Sequence, residues 1–300
     1  MQRQIIYLVN PISGTKSKQA ILQYISLTTS QLGIPYLIKE TNATGHYTWL
    51  KELVHTGQYT DVVIIGGDGT VNQIVAAVGH LNITIGIIPC GSGNGLAYTA
   101  GIPNNYRKAL DIVLTGKCTL IDAYTINNTI ACHLSGIGFD AQVAHDFAGK
   151  KSRGLLTYIT ETIKNYIKAK PFTYQLLIGH TTLQVQAYFI TIANSNQFGN
   201  HVTIAPHASL QDGLLDIVVM QKASKLAIPF IMWKQIKGHN KIQPITQNIA
   251  TQKIINIQAA ELIIHNYNNA PLHIDGEVTA TSNTIVVKIL PQYFKLWVSK

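Results

Sequence analysis

Short apolar runs alternate with helical periodicity through the first third of the chain. Residues 5–9, 36–38, 62–65 and 83–88 read as strands, and residues 20–32, 47–54 and 71–78 as helices. Strand and helix segments repeated in this way predict a parallel sheet covered by helices on both faces. Val71, Ile74, Val75 and Val78 fall at i, i+3, i+4 and i+7, so one face of that helix is apolar, and it follows directly on a glycine-rich turn. After residue 120 the texture changes to β-branched and aromatic runs, 185–193, 214–220, 253–257, 262–265 and 284–290, separated by Asn, Gly, Asp and Pro. This half reads as antiparallel β structure. Two helices interrupt it. Residues 154–169 carry Leu155, Ile159, Ile163 and Ile167 at i+4 steps and stop before Pro171, and residues 224–237 carry the most apolar stretch, 226–233, between Lys225 and Lys234. The expected organisation is an α/β domain over 1–120 and a β-rich domain over 121–290, with the junction between 116 and 124.

Composition narrows the classes. A chain of 300 residues with 46% hydrophobic and 12% charged residues buries much of its length, which excludes wholesale disorder and exceeds what one core comfortably organises. The balance of 23 Lys+Arg against 14 Asp+Glu gives +9 and predicts attraction to anions: phosphorylated small molecules, nucleic acid or an acidic membrane. Only three Arg occur and no basic run is interleaved with aromatics, which argues against nucleic acid. Cys90, Cys118 and Cys132 share no CxxC spacing, so a reducing compartment, the cytoplasm, is expected. No apolar run approaches the ~20 residues that span a bilayer. The N-terminal stretch reads as a first strand rather than a signal peptide.

The most informative stretch is VVIIGGDGTVN, where a buried-looking strand enters Gly66-Gly67-Asp68-Gly69-Thr70 and then the amphipathic helix. Glycines there let backbone N–H groups approach an anion, and the helix N-terminus adds a favourable dipole, so a phosphate chain fits. Asp68 suits the orientation of a water, a Lys or Mg²⁺ rather than direct phosphate contact. The same residues also suit a plain strand-to-helix turn. A second glycine-rich turn, Pro89-Cys90-Gly91-Ser92-Gly93-Asn94-Gly95, follows the next strand, and a polar turn, Asn10-Pro11-Ile12-Ser13-Gly14, follows the first, with Lys16 and Lys18 nearby. Turns at successive strand ends of a parallel sheet share one edge and can line one cleft.

Other nucleotide and metal motifs fail. There is no GxxxxGK[ST], no HExxH and no GxSxG. Gly136-Ile137-Gly138-Phe139-Asp140-Ala141 matches GxGxxA, but it lies in the β-rich half and no helix-opening pattern is expected after it.

The ordered set NPISG, GGDGT followed by VN, PCGSGNGLA, SGIGFDA, NSNQFGN with VTIAPHASLQDGLLD, and IDGE resembles the diacylglycerol kinase catalytic-domain superfamily, specifically bacterial soluble lipid kinases, with sphingosine and ceramide kinases as relatives. The resemblance extends from Asn10 to Glu277. It implies an N-terminal α/β domain of NAD-kinase or phosphofructokinase type that holds ATP, completed by residues 291–300, and a C-terminal antiparallel β-sandwich that offers a lipid alcohol. By motif position, ATP contacts come from Asn10, Pro11, Ile12, Ser13, Gly14, Thr41, Gly66, Gly67, Asp68, Gly69, Thr70, Val71, Asn72 and Ser92. Thr41 also suits a helix cap or turn.

Phosphoryl transfer needs a carboxylate to accept the alcohol proton and a cation to neutralise phosphates. The resemblance assigns the acid to the element His273-Ile274-Asp275-Gly276-Glu277, with Glu277 favoured as base and Asp275 assisting through a Mg²⁺–water network. A solvated Asp-Gly hairpin is the alternative. It also implies a structural Mg²⁺ held by the Asp212 carboxylate and the carbonyls of Ser209 and Leu214, oxygen ligands that suit a hard cation, against a plain Asp-Gly turn. Gly95 stands where many bacterial diacylglycerol kinases carry Asp, which leaves the acceptor open between diacylglycerol and a sphingoid alcohol. The expected partners are a neutral lipid substrate, an anionic membrane and a second copy of the chain forming a homodimer. The membrane would be met peripherally through Lys150, Lys151, Ser152 and Arg153 with Lys164, Lys168 and Lys170. An NAD kinase-type enzyme and a non-catalytic nucleotide- or lipid-binding regulator are the alternatives.

Overall fold

Four apolar runs of the N-terminal stretch form parallel strands: β1 (Ile5–Val9), β2 (Tyr36–Glu40), β3 (Asp61–Gly66) and β4 (Thr84–Pro89). The computed structural model describes residues 2–14, 17–42, 45–148, 169–199 and 202–300. The chain divides into two units, Met1–Ile121 with Gln292–Lys300, and Asp122–Pro291. In the first unit β1 lies between β2 and β3, and β4 follows β3. Every residue of β1 and β3 is buried, as expected of strands covered on both faces. Helices α1 (Gln19–Gln31), α2 (Thr48–His55), α3 (Asp68–Val78), α4 (Gly95–Thr99) and α5 (Tyr106–Thr115) connect them. The strand order reverses direction at β1, so the crevice outside the carboxyl ends of β1 and β3 is a topological switch point, where open α/β sheets hold ligands.

Strand β5 (Lys117–Ile126) carries the chain into the second unit. There, β6 (Thr129–Ala131), β7 (Leu134–Gly138), β8 (Phe172–Ile178), β9 (Thr181–Ala193), β10 (Gln197–Gly199), β11 (Val202–Thr203), β12 (Leu215–Gln221), β13 (Ile254–Ala259), β14 (Glu261–Asn266), β15 (Leu272–Ile274), β16 (Glu277–Thr279) and β17 (Thr284–Val298) are built on antiparallel pairs. Strand β9 is the trunk: residues 181–187 pair with β8, and 189–193 pair with β7 and β12. Its side chains feed two cores, Leu183, Val185, Ile190 and Ile192 one of them, and Tyr188, Phe189 and Ala193 the other. The adjacent Tyr188 and Phe189 share a core because the β9–β12 register shifts there. Helices α6 (Phe139–Ala148) and α7 (Ile228–Ile236) complete the unit.

Several expectations change. Helix α3 begins at Asp68, so the glycine motif is its first turn rather than a loop before it. Helix α7 starts at Ile228 rather than residue 224, because Pro229 suits only a first turn. Helix α6 follows directly on Gly138, where no helix was expected; Asp140 in its first turn complements the helix dipole. The helix expected over 154–169 lies outside the described residues except for Ala169, as do Lys16, Lys150, Lys151, Ser152, Arg153, Lys164 and Lys168. Among the described residues, no helix is long and apolar enough to cross a membrane.

The end of β17 returns to the first unit, where Lys295 and Leu296 pair in parallel with Thr84 and Ile85 of β4. Asp61 is the anchor beside it. Its carboxylate accepts Arg3 Nε at 3.1 Å, Arg3 Nη2 at 2.8 Å and Trp297 Nε1, while Arg3 lies 4.6 Å from the centre of the Trp297 ring. Arg3 also donates to the carbonyls of Val113 and Leu114. Asp61→Ala would leave this half-buried guanidinium without its anion, and should destabilise the first unit by about 3 kcal/mol in urea unfolding; a loss under about 1 kcal/mol would mean the contacts are ordinary surface pairs.

Candidate functional site

In the first unit the bends after β1, β3 and β4 meet at the switch point. Asn10 extends the ladder beyond β1 by donating its N–H to Ile65 O, and its side-chain Nδ2 donates to Thr70 Oγ1 at 2.8 Å. Gly67 and Gly91 touch backbone to backbone: a Cβ on Gly91 would sit 2.6 Å from Gly67 Cα, and one on Gly67 2.9 Å from Gly91 Cα. Gly14 abuts the Cys90 carbonyl in the same manner. Asp68 Oδ1 accepts the Leu96 N–H at 3.3 Å, tying α3 to α4. Asn94, in the left-handed region at φ 58°, closes the second bend on itself by pairing its amide with Gly91 N and Gly91 O, both at 2.8 Å.

What this edge offers an anion is narrower than the motif suggested. Helix α3 has no side-chain cap, and the first-turn amides of Asp68, Gly69 and Thr70 have no partner within a helix. Val71 does not belong with them: its side chain is buried and its N–H is bonded to Gly67 O, because it is already the fourth helical residue. The amides of Ile12 and Ser13 turn back onto Asn10, and Thr41 N–H bonds Val9 O. Pro11 and Ile12 are exposed, as is Ser92, and Gly66 is packed against Thr70. Positive charge enters through Lys18, which is buried rather than solvated and donates to Ser13 O. Burial pushes the Cys90 thiol up, with Lys18 pulling the other way. Thr41 lies against buried Tyr47, whose hydroxyl is raised by burial and lowered by its bond to Thr41.

In the second unit the element His273-Ile274-Asp275-Gly276-Glu277 forms the hairpin between β15 and β16, with Ile274 opposite Glu277. Asp275 and Gly276 have φ of 48° and 85°, the two positive values of a tight hairpin turn. The two acids part company here. Glu277 is exposed. Asp275 is buried, and its carboxylate accepts the N–H groups of Cys132 at 2.8 Å, Leu134 at 2.9 Å and His133 at 3.1 Å. Burial pushes its carboxyl up, while His133 and these amides oppose the shift. This corrects the expected Mg²⁺–water role for Asp275, because its oxygens are engaged inside the fold.

Beneath the hairpin, His273 Nδ1 accepts the Gly276 N–H at 3.2 Å, which assigns the ring proton to Nε2. That atom is 3.3 Å from Asp140 Oδ2 without an aligned hydrogen bond, and Thr191 donates to the same oxygen. Gly136 makes the space: a Cβ there would lie 2.2 Å from Asp140 Oδ2. The GxGxxA match is therefore a packing device for a buried acid and imidazole. Ser195 Oγ lies 2.5 Å from His133 Nδ1, and both residues are buried. His133 and Ser195 escaped the sequence reading because they meet across a long stretch of chain, and Asp140 and His273 were visible only as members of separate motifs, with nothing local to pair them. The Asp at the start of an unrecognised helix was the one available signal.

The loop at 209–214 has Asp212 exposed, with Oδ1 accepting Leu214 N–H at 3.1 Å. The Asp212 carboxylate and the carbonyls of Ser209 and Leu214 are all oxygen donors, which would suit a hard cation. Asp122, missed in the sequence, accepts Gly213 N–H at 2.8 Å. Desolvation raises Asp212, with repulsion from Asp122 adding to it, and pushes Asp216 up to about 6, with Asp212 contributing. No group of three or more His, Cys, Asp or Glu side chains converges on a metal position among the described residues.

Residues 4–126 match the model of the diacylglycerol kinase catalytic domain, and residues 134–298 that of the YegS C-terminal NAD kinase beta sandwich-like domain. A diacylglycerol kinase of Bacillus subtilis strain 168 is 25% identical over 279 residues, covering 91% of this chain and 89% of that protein. A diacylglycerol kinase of Staphylococcus aureus strain MRSA252 is 23% identical over 281 residues, covering 92% and 87%. A crystal structure described as a diacylglycerol kinase from Bacillus anthracis strain Sterne shares the fold with a TM-score of 0.73 at 17% identity, covering 99% of this chain and 97% of that one.

The raised Asp216 carboxyl makes stability fall as pH rises. The folded state holds its proton up to about pH 6 and the unfolded chain releases it near its ordinary value of 3.8, so the stabilisation of the protonated form is complete below pH 4 and lost through pH 6. Asp216→Asn should flatten the urea-measured stability between pH 4 and 7 and raise it at pH 7 by up to about 3 kcal/mol. An unchanged profile would show that Asp216 ionises normally.

Proposed function

The chain belongs to the diacylglycerol kinase catalytic-domain superfamily and is a lipid kinase, and from this we propose that it transfers the γ-phosphoryl group of ATP to a hydroxyl of a neutral lipid, diacylglycerol or a sphingoid-type alcohol. The observation that carries the proposal is the convergence of the three bends at the switch point, with the uncapped α3 N-terminus, Lys18 and the contacting glycines Gly67 and Gly91 on one edge. The amides of Asp68, Gly69 and Thr70 hold phosphate oxygens there, and Asn10, Ser13, Gly14, Thr41, Asn72 and Ser92 frame the nucleotide. Lys18 adds the charge that the amides of Ile12 and Ser13 do not.

Glu277 is the general base in this proposal. Being exposed on the first residue of β16, it is free to approach a lipid hydroxyl and accept its proton as the O–P bond forms, while the bond from the γ-phosphorus to the bridging oxygen breaks and ADP leaves. Asp275 supports it by fixing the hairpin. Mg²⁺ supplies charge neutralisation for the triphosphate. A second, structural cation is held by Asp212 and the carbonyls of Ser209 and Leu214. The enzyme works in the cytoplasm, consistent with three free cysteines, and meets its acceptor at a membrane surface.

Incubation with γ-labelled ATP, Mg²⁺ and separate diacylglycerol, sphingosine, ceramide and NAD acceptors should label a lipid. Glu277→Gln should cut the rate by about 10²–10⁴-fold while leaving ATP binding intact. Label on NAD would favour an NAD kinase-type enzyme, in keeping with the fold description of the second unit's model, and ATP binding without any labelled product would favour a regulator. For the structural cation, millimolar Mg²⁺ or Ca²⁺ should raise the unfolding temperature at pH 7, and Asp212→Asn should remove that response. Equal responses in both proteins would place the cation elsewhere.

A further inference from the structure

Helix α7 rests Ile228, Ile231 and Met232 on the second core, yet its largest apolar side chains face outward. Its fully buried side chain is Gln235, whereas Phe230 and Trp233 on the outer face are 58% and 50% exposed, and Leu226 in the turn before it is 93% exposed. These three positions are spaced i, i+4, i+7, so they form one stripe. Phe230 and Trp233 stack at 6.1 Å with 15° between ring planes, and Ile236 and Ile242 extend the exposed apolar surface. The orientation is held by a saturated polar contact on the inner side. Gln235 Nε2 donates to Ile204 O at 2.8 Å and Asn256 Oδ1 at 2.9 Å, while its Oε1 accepts Asn240 Nδ2 at 2.9 Å and Asn256 Nδ2 at 3.0 Å. All four capacities of the amide are used, so rolling the aromatic stripe inward would forfeit a complete buried network.

The charge around the stripe identifies what covers it. Residues 217–260 contain Lys222, Lys225, Lys234, Lys237, Lys241 and Lys253 and not one Asp or Glu. Lys234 Nζ lies 4.8 Å from the centre of the Phe230 ring, with its stem along the apolar face. A second copy of the chain pairing through this stripe would set these lysines against their own equivalents, which opposes a symmetric dimer here. We propose that the outer face of α7, with Leu226, Phe230 and Trp233 at the acyl boundary and the flanking lysines on headgroup phosphates, is the surface by which this protein docks on an anionic phospholipid bilayer. Aromatic rings with one wet edge and lysine ammonium groups above an apolar stripe are the chemistry of an interfacial helix.

Sedimentation of the full chain with phosphatidylcholine vesicles, with and without phosphatidylglycerol, tests this without ATP or an acceptor, so a failure here leaves the phosphotransfer proposal standing. Binding should require phosphatidylglycerol and weaken with salt. Phe230→Ser with Trp233→Ser, and separately Lys234→Glu with Lys237→Glu, should each weaken it roughly tenfold or more. Tryptophan emission should be quenched by brominated lipid in the natural chain and markedly less in Trp233→Phe. The proposal is overturned if the natural chain does not bind, or if it and both double variants bind equally. It also fails if the chain self-associates through this stripe, seen as a sedimentation-velocity dimer that Phe230→Ser with Trp233→Ser dissolves.

Discussion

The first unit depends on two glycines that touch. Parallel pairing of β3 and β4 ends with Gly66 opposite Pro89, and Cys90 N–H continues the ladder to Gly66 O at 2.8 Å. Beyond that point two chains about 4.8 Å apart would ordinarily diverge to make room for side chains. Gly67 and Gly91 remove that need, and the bends stay in contact until Asp68 reaches Leu96 N–H. One consequence is positional: the start of α3 is held at the same edge as the bends after β1 and β4. Another is electrostatic, since the positive end of the helix dipole faces a site bordered by Lys18. A methyl group at either glycine would push against backbone, which cannot swing aside as a flexible side chain can.

The second unit solves a different problem, how to hold a very short strand at a fixed place. Strand β16 has three residues and pairs with a β15 of the same length, too little for independent stability. Asp275 supplies the missing restraint by accepting three consecutive backbone N–H groups from residues 132–134. Burying that carboxylate is unfavourable by itself, as its raised pKa records, and the amide donors offset the cost. His273 works from the other side of the turn through Gly276 N–H. The hairpin is thus fixed at both turn residues while Glu277, the next residue, is exposed.

Much of this architecture was legible because it is local. The apolar runs of β1, β3 and β4 and the 3.6-residue period of α3 announce themselves within a few residues, whereas the return of the chain's end was implied by the family resemblance alone. The glycine bends were also visible, since glycine at a strand end has few other uses. What could not be read depends on contacts across long stretches of chain. Asp275 and Glu277 look alike in a DGE element, and only the three amides from residues 132–134 separate a buried tether from an exposed acid. The pairing of Asp140 with His273 spans the unit in the same way. The most apolar helix was readable as a helix but not as one facing outward, because nothing in its own periodicity says that Gln235 finds four buried partners.

The net charge of +9 has a specific origin in scarcity of acids rather than abundance of bases. Lys and Arg together make up 23 of 300 residues, itself a low share, while only 14 are Asp or Glu. Half of those acids, Asp68, Asp122, Asp140, Asp212, Asp216, Asp275 and Glu277, lie in the glycine bend, in the hairpin and its support, or in the 209–214 loop and the strands β5 and β12 beside it. Four of the seven are buried, where each carries a desolvation cost that a surface acid would avoid. Placing acids there and none between residues 217 and 260 sorts the chain by sign: acidic oxygen at the bend, the hairpin and the 209–214 region, and lysines without an acid along the segment that carries α7. A uniform sprinkling of both signs would keep the chain as soluble but would give neither a cation nor an anionic surface a preferred place to bind.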